Sequence, residues 1–168
     1  MASEVRIGII GCARILNAHL RGFKTLQENG YGDLFRITAL CARKEEDAHR
    51  FRIRGEGPGP RPAPVDAPND PLNAPHSYIS DLHPDQETEV FTDYREMLDT
   101  CELDVVYAIT MPGHLTPIVL DCLERGLHTS IEKPVGMSSQ DAERMLKASM
   151  RSRGKAMVSR TCLSPQIQ

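Results

Sequence analysis

Val5-Arg6-Ile7-Gly8-Ile9-Ile10-Gly11-Cys12-Ala13-Arg14-Ile15-Leu16 is the stretch on which the fold turns. Val5 to Ile10 is a short β-branched run, Gly11 ends it, and Leu16, Leu20, Phe23 and Leu26 then recur at helical spacing. The pattern is strand, tight turn, helix. Asn29-Gly30-Tyr31-Gly32-Asp33 supplies a stop, Phe35 to Cys41 reads as a second strand, and Lys44 to Phe51 as a second helix. A strand, a crossover helix and a second strand within some forty residues form a βαβ unit, which implies a parallel sheet.

The alternation continues downstream. Val90-Phe91 is a short strand, and Tyr94, Met97, Leu98 and Cys101 share one helical face. Val105 to Ile109 is apolar throughout, as expected of a parallel strand covered on both faces. Leu115, Ile118, Val119, Cys122 and Leu123 form the stripe of an amphipathic helix closed by Gly126. Leu127 to Ile131 is the fifth strand, and after Glu132-Lys133-Pro134 a helix capped by Ser138 or Ser139 buries Ala142, Met145, Leu146 and Ser149. Lys155 to Ser159 is a final strand. These elements predict an α/β fold: a doubly wound parallel sheet of Rossmann type in three α/β/α layers. The alternation breaks once. Gly55 to Pro75 holds seven prolines and three glycines in 21 residues with almost nothing large and apolar to bury. It reads as a solvated insertion running to about Thr88 rather than a docking motif for a polyproline-binding module.

A chain of 168 residues fits one ordinary domain. With 20 basic and 23 acidic residues and a net charge of -3, no electrostatic footprint for nucleic acid or an anionic membrane stands out. The expected partner is a small molecule. No apolar run approaches the roughly 20 residues that cross a bilayer, and Met1-Ala2-Ser3-Glu4 leads into a strand without a signal peptide, so a cytoplasmic protein is expected. Cys12, Cys41, Cys101, Cys122 and Cys162 form an odd set without a C-x-x-C pair and read as buried free thiols.

The turn at Gly8 to Leu16 fits the first part of the dinucleotide pattern G-x-G-x-x-G, in which glycines permit the turn, close approach to pyrophosphate and tight helix packing. Here the three places hold Gly11, Ala13 and Leu16. A following helix N-terminus offers unpaired N–H groups to a phosphate; a tight βα turn of another doubly wound protein would read the same way. The second strand ends in Cys41-Ala42-Arg43-Lys44, without the carboxylate that holds the ribose hydroxyls of NAD. Two cations suit the 2′-phosphate of NADP, unless they are only the solvated start of a helix. Lys133 is the candidate catalytic residue: its ammonium can hydrogen-bond a substrate oxygen, with Glu132 orienting it. Pro134 fixes the backbone beyond and permits a cis bond. His114, opening the fourth helix after Thr110, Met111 and Pro112, is either a substrate or nicotinamide contact or a helix-start residue without a task. His76, Asp81, His83 and Asp85 lie at irregular spacing in the insertion, and no metal site is assigned to them.

In sum of motifs the chain resembles the N-terminal domain of the Gfo/Idh/MocA oxidoreductases, named for glucose-fructose oxidoreductase, inositol dehydrogenase and a rhizopine-catabolism protein. The carriers are Ile7 to Ile15, Thr92-Asp93-Tyr94-Arg95-Glu96-Met97-Leu98, Leu103-Asp104-Val105-Val106-Tyr107, Gly126-Leu127-His128 and above all Glu132-Lys133-Pro134. The resemblance implies an NAD(P)-binding Rossmann domain in an enzyme that moves hydride between nicotinamide and a sugar, cyclitol or polyol-like alcohol. It implies cofactor contacts from Gly8, Gly11, Cys12, Ala13, Arg14 and Ile15, from Ala42 and Arg43 at the adenosine end, and from Thr110, Met111, Pro112 and His114 on the nicotinamide side. Glu132 and Lys133 would contact nicotinamide ribose and substrate. The family's histidine after the fourth strand falls, counted back from Gly126, on Leu115 rather than His114. Family enzymes continue into a second α/β domain that supplies an Asp and a His, and residues 161–168 look like the crossing into it; a homo-oligomer would form through that domain. A dinucleotide-binding regulator or sensor would share the fold, as would a hydrolase that keeps NAD tightly bound.

Overall fold

The computed structural model describes residues 4–64, 66–67 and 70–159. The expected tail at 161–168, with Cys162, lies outside the described residues. Six strands form one sheet: β1 (Val5–Ile10), β2 (Phe35–Cys41), β3 (Glu89–Phe91), β4 (Val105–Ala108), β5 (His128–Ile131) and β6 (Ala156–Val158). Their order is β3-β2-β1-β4-β5-β6 and every neighbouring pair is parallel. The chain therefore winds outward from β1 to β3, returns to the other side of β1, and winds outward again. Strand order reverses between β1 and β4, so a ligand crevice is expected outside their carboxyl ends.

Among the described residues five α-helices cover the faces: α1 (Leu16–Leu26), α2 (Glu45–Arg52), α3 (Tyr94–Thr100), α4 (Pro112–Glu124) and α5 (Ser139–Arg151). Ile7, Ile9, Ile37 and Leu40 pack with Leu16, Leu20 and Phe23 of α1 and Ala48 and Phe51 of α2. Ile10, Val106, Ala108 and Ile131 pack with Met97 of α3, with Leu115, Ile118, Val119, Cys122 and Leu123 of α4, and with Met145 of α5. Strands that must satisfy two apolar layers cannot alternate apolar with polar, and the unbroken run at β4 follows from that. Asp93 and Ser138 cap α3 and α5 by accepting the N–H groups of Arg95 and Asp141. Gly126, at φ 76°, turns the chain out of α4.

Several expectations change. The fourth helix begins at Pro112, so His114 lies within its first turn rather than opening it. Of the four residues expected to be buried by α5, only Met145 is; Leu146 is 60% exposed. Among its described residues the proline-rich stretch is regular only in short turns at Pro71–Asn73 and Ile79–Asp81. Its second half is not a solvated loop. Ile79 and Leu82 are buried in the same cluster as β1 and α1, and Thr88 donates its hydroxyl to the Ile37 carbonyl (3.0 Å).

Candidate functional site

Gly11 holds the turn together at the switch point. Its N–H donates to the Cys41 carbonyl (2.9 Å), and its φ of 113° is open only to glycine without strain. A Cβ there would lie 2.5 Å from the Ile109 carbonyl oxygen, so glycine also lets the turn close against the end of β4. Beyond it the N–H groups of Cys12, Ala13, Arg14 and Ile15 make no hydrogen bond to another described residue, and the first ones engaged are those of Leu16 and Asn17, to Ala13 and Arg14. Four unpaired donors ahead of a helix are what a pyrophosphate would take up. Ala13 is exposed, and Leu16, at the third glycine place, is buried between α1 and the sheet. Gly8 lies inside β1, and a Cβ on it would press on Leu103 and Met97 of the core, so packing alone calls for glycine there. Cys12 contributes backbone only, since its thiol is buried with Sγ directed at the Cys41 carbonyl. Burial pushes the Cys12 thiol well up and the Cys41 and Cys122 thiols up to about 12, leaving them protonated at neutral pH.

At the end of β2, Ala42 is buried and donates its N–H to the Phe91 carbonyl (3.0 Å). Arg43 is exposed and has no hydrogen bond or ion pair to a described residue. Its guanidinium is therefore available to a phosphate or ribose. The proline-rich segment crosses close by. Arg14 donates to the carbonyls of Leu72 and Arg61, while Arg61 donates to the Cys12 carbonyl (3.2 Å) and pairs with Asp47 of α2. The segment thus borders the glycine turn on its α2 side.

Across the crevice, Thr110, Met111 and Pro112 follow β4, with Met111 exposed and Pro112 as the first residue of α4. The His114 side chain is exposed, with no partner among the described residues. Glu132 and Lys133 extend β5 at the same edge, and the Lys133-Pro134 bond is cis. Lys133 is exposed; Glu132 is buried, and its carboxylate engages not the lysine ammonium but two other donors. One oxygen accepts the Lys133 backbone N–H (3.1 Å), and the other lies 2.9 Å from Nε2 of His19, with the two side chains 7% and 6% exposed. Burial holds His19 below its ordinary protonation range although Glu132 pulls the other way, so its neutral Nε2–H is the donor. His19 had no place in the sequence reading. A signal existed: Leu16, His19, Leu20 and Phe23 stand at i, i+3, i+4 and i+7, so a polar side chain interrupts an otherwise apolar stripe.

Three of the four acidic and histidine residues singled out in the insertion have separate partners. His76 lies against Arg50, Phe51 and Tyr78, Asp81 pairs with Arg54, and the His83 ring packs on Phe35. Among the described residues no three His, Cys, Asp or Glu side chains gather to hold a metal ion, and no helix is long and apolar enough to cross a membrane.

A parallel sheet in the order 3-2-1-4-5-6, a glycine turn with free N–H groups at its switch point, and a Glu-Lys pair on the same edge define a dinucleotide-binding Rossmann domain. Residues 73–160, just over half the chain, match the model of the Gfo/Idh/MocA oxidoreductase family with an NAD-binding Rossmann fold, and the chain belongs to that family. The match starts after the glycine turn. Solved structures with the same fold include the WlbA dehydrogenase of Chromobacterium violaceum in complex with NADH and UDP-GlcNAcA (TM-score 0.66, 18% identity, 95% of this chain and 36% of that one). An NAD binding oxidoreductase from Klebsiella pneumoniae is similar (0.66, 21%, 93% and 34%), as is the myo-inositol dehydrogenase of Lactobacillus casei in complex with NAD(H) and myo-inositol (0.63, 17%, 93% and 36%). This chain spans about a third of the length of each. No curated protein matches it.

Proposed function

We propose that this chain is the dinucleotide-binding part of a cytosolic NAD(P)-dependent oxidoreductase acting on the CH–OH group of a sugar, cyclitol or polyol-like alcohol. The observation that carries the reading is the row of unpaired N–H groups from Cys12 to Ile15 behind Gly11, at the edge where Lys133 projects. When bound, the nicotinamide supplies the hydride acceptor or donor. The residues of the chain supply the rest. Cys12 to Ile15 hold the pyrophosphate with backbone N–H groups, Arg43 meets the adenosine ribose or its 2′-phosphate, and Thr110 to Pro112, with His114 beside them, border the nicotinamide side. Lys133 hydrogen-bonds the substrate oxygen and stabilises the charge that develops on it. The substrate class is supported by family membership and by relatives of this fold in complex with a nucleotide sugar and with myo-inositol.

Arg43 favours NADP over NAD, because a free guanidinium without a neighbouring ribose-binding carboxylate suits a dianion. The test is a fluorescence titration with NADPH and NADH of the wild-type chain and of Arg43→Ala. The expected result is tighter NADPH binding that falls roughly tenfold in the variant, with NADH little changed. Equal affinities unaffected by the substitution would remove the phosphate-reading role.

A further inference from the structure

The contact between His19 and Glu132 joins parts of the site that the chain order separates by 113 positions. His19 sits in the first turn of α1, the helix that opens directly after the candidate phosphate-binding turn. Glu132 closes β5 and immediately precedes Lys133. One oxygen of the carboxylate reaches His19 and the other accepts the N–H of Lys133, so both ends of Glu132 are held by the protein's own donors. The imidazole is fixed from a third side as well, its ring standing edge-on to Tyr107 of β4 (centroids 5.8 Å apart, planes at 81°). Helix α1, strand β4 and the end of strand β5 therefore converge on one imidazole–carboxylate pair.

A pair that served packing alone would be an expensive way to join a helix to a sheet. Taking a carboxylate and an imidazole out of water is unfavourable before their attraction is counted, and apolar side chains of similar volume commonly do as well or better. What an apolar pair cannot do is accept the backbone N–H of Lys133 and fix that residue relative to α1. We propose that His19 is a positioning residue which, through Glu132, sets Lys133 against the nicotinamide end of the cofactor. The proposal rests on the dinucleotide reading of the site. In it Glu132 is the strut between two halves of the site, one holding phosphates and the other carrying the reactive side chain, rather than a ligand of the ribose. His19 touches neither cofactor nor substrate.

The prediction separates the two ends of the cofactor. ADP-ribose carries the adenosine and pyrophosphate but lacks nicotinamide, so it reads the turn and Arg43 without reading Lys133. Binding of NADH and NADPH, followed by nucleotide fluorescence, and of ADP-ribose and its 2′-phosphate, followed by competition, is to be compared in wild type, His19→Phe and His19→Gln. His19→Phe should weaken the preferred reduced dinucleotide roughly tenfold while leaving its nicotinamide-free fragment within about twofold. His19→Gln, whose amide N–H can still donate to Glu132, should keep most of the affinity. If His19→Phe does not fold, Glu132→Leu, which removes the acceptor for both donors, should show the same selective loss. Equal loss of dinucleotide and fragment, no loss of either, or no rescue by glutamine would overturn the positioning role with the dinucleotide site intact. A folded wild-type chain that binds no nucleotide or fragment would overturn the functional reading itself, and the inference with it.

Discussion

Gly11 shows how much one missing methyl group decides. A side chain there would need a left-handed backbone and would also meet the Ile109 carbonyl oxygen at 2.5 Å, so Gly11→Ala should cost at least about 2 kcal/mol of stability and open the seam between β1 and β4. Urea unfolding measures it, and a change under about 0.5 kcal/mol would contradict the close approach. His19 gives a second prediction, with a sign. Burial depresses its proton affinity in the folded state, so between that depressed value and the ordinary histidine value of about 6.5 the unfolded chain binds more protons. The contribution is fully present above about pH 6.5 and is lost as pH falls through the folded value. Thermal stability should thus decline on acidification from about pH 7.5 to 5.5, and less steeply in His19→Gln. His76 and His83, depressed mainly by burial as well, leave a residual slope in that variant. A variant slope equal to wild type would remove His19 from the account. At this scale the sequence was legible where chemistry is local. Gly11 and Lys133 announce themselves by motif, whereas the packing of Gly8 against Leu103 and Met97 does not, because those partners are distant in the chain. His19 was missed because its partner lies 113 residues away.

The strands and helices of the sheet were readable from periodicity, β1 and β2 to the residue, because the central strands meet apolar layers on both faces and the helices bury an apolar stripe. The proline-rich segment was readable only in part. Composition says that Gly55 to Pro75 lacks apolar mass, but it cannot say that Arg61 and Leu72 reach back to the glycine turn, nor that the chain re-enters the core at Ile79. Ile79 is 1% exposed, and Ile79→Ala should cost about 2–4 kcal/mol in urea unfolding; a cost near zero would restore the solvated loop. The Arg61 contacts are different in kind. They are partly exposed, so Arg61→Ala should leave global stability within about 0.5 kcal/mol while protease cuts the segment faster. Unchanged cleavage would mean that these contacts do not hold the segment. Helix α5 shows the opposite limit of periodicity: Leu146 sits on a plausible stripe, yet α5 flanks the edge of the sheet, where α4 covers one side only, and the outer part of the stripe faces solvent.

For the whole molecule, strand order is what turns a list of elements into a site. Winding outward twice from β1 brings the turn before α1, the end of β4 and the end of β5 to one edge, although they are spread over 120 residues of chain. The same topology leaves β6 as an exposed edge strand, and Met111, Met137, Leu146, Met150 and Met157 are exposed apolar side chains among the described residues. The isolated chain should accordingly bind an apolar dye while folded and associate with increasing concentration. The central claim is that the amides of the glycine turn take up a dinucleotide's phosphates. It is tested most directly by amide chemical shifts of the 168-residue chain during titration with NADPH or NADH. Saturable shifts at Cys12, Ala13, Arg14 and Ile15, joined by Lys133 and absent at Gly154 beyond α5, are the predicted result. A folded chain whose turn amides do not move, or whose shifts map to another surface, would contradict it.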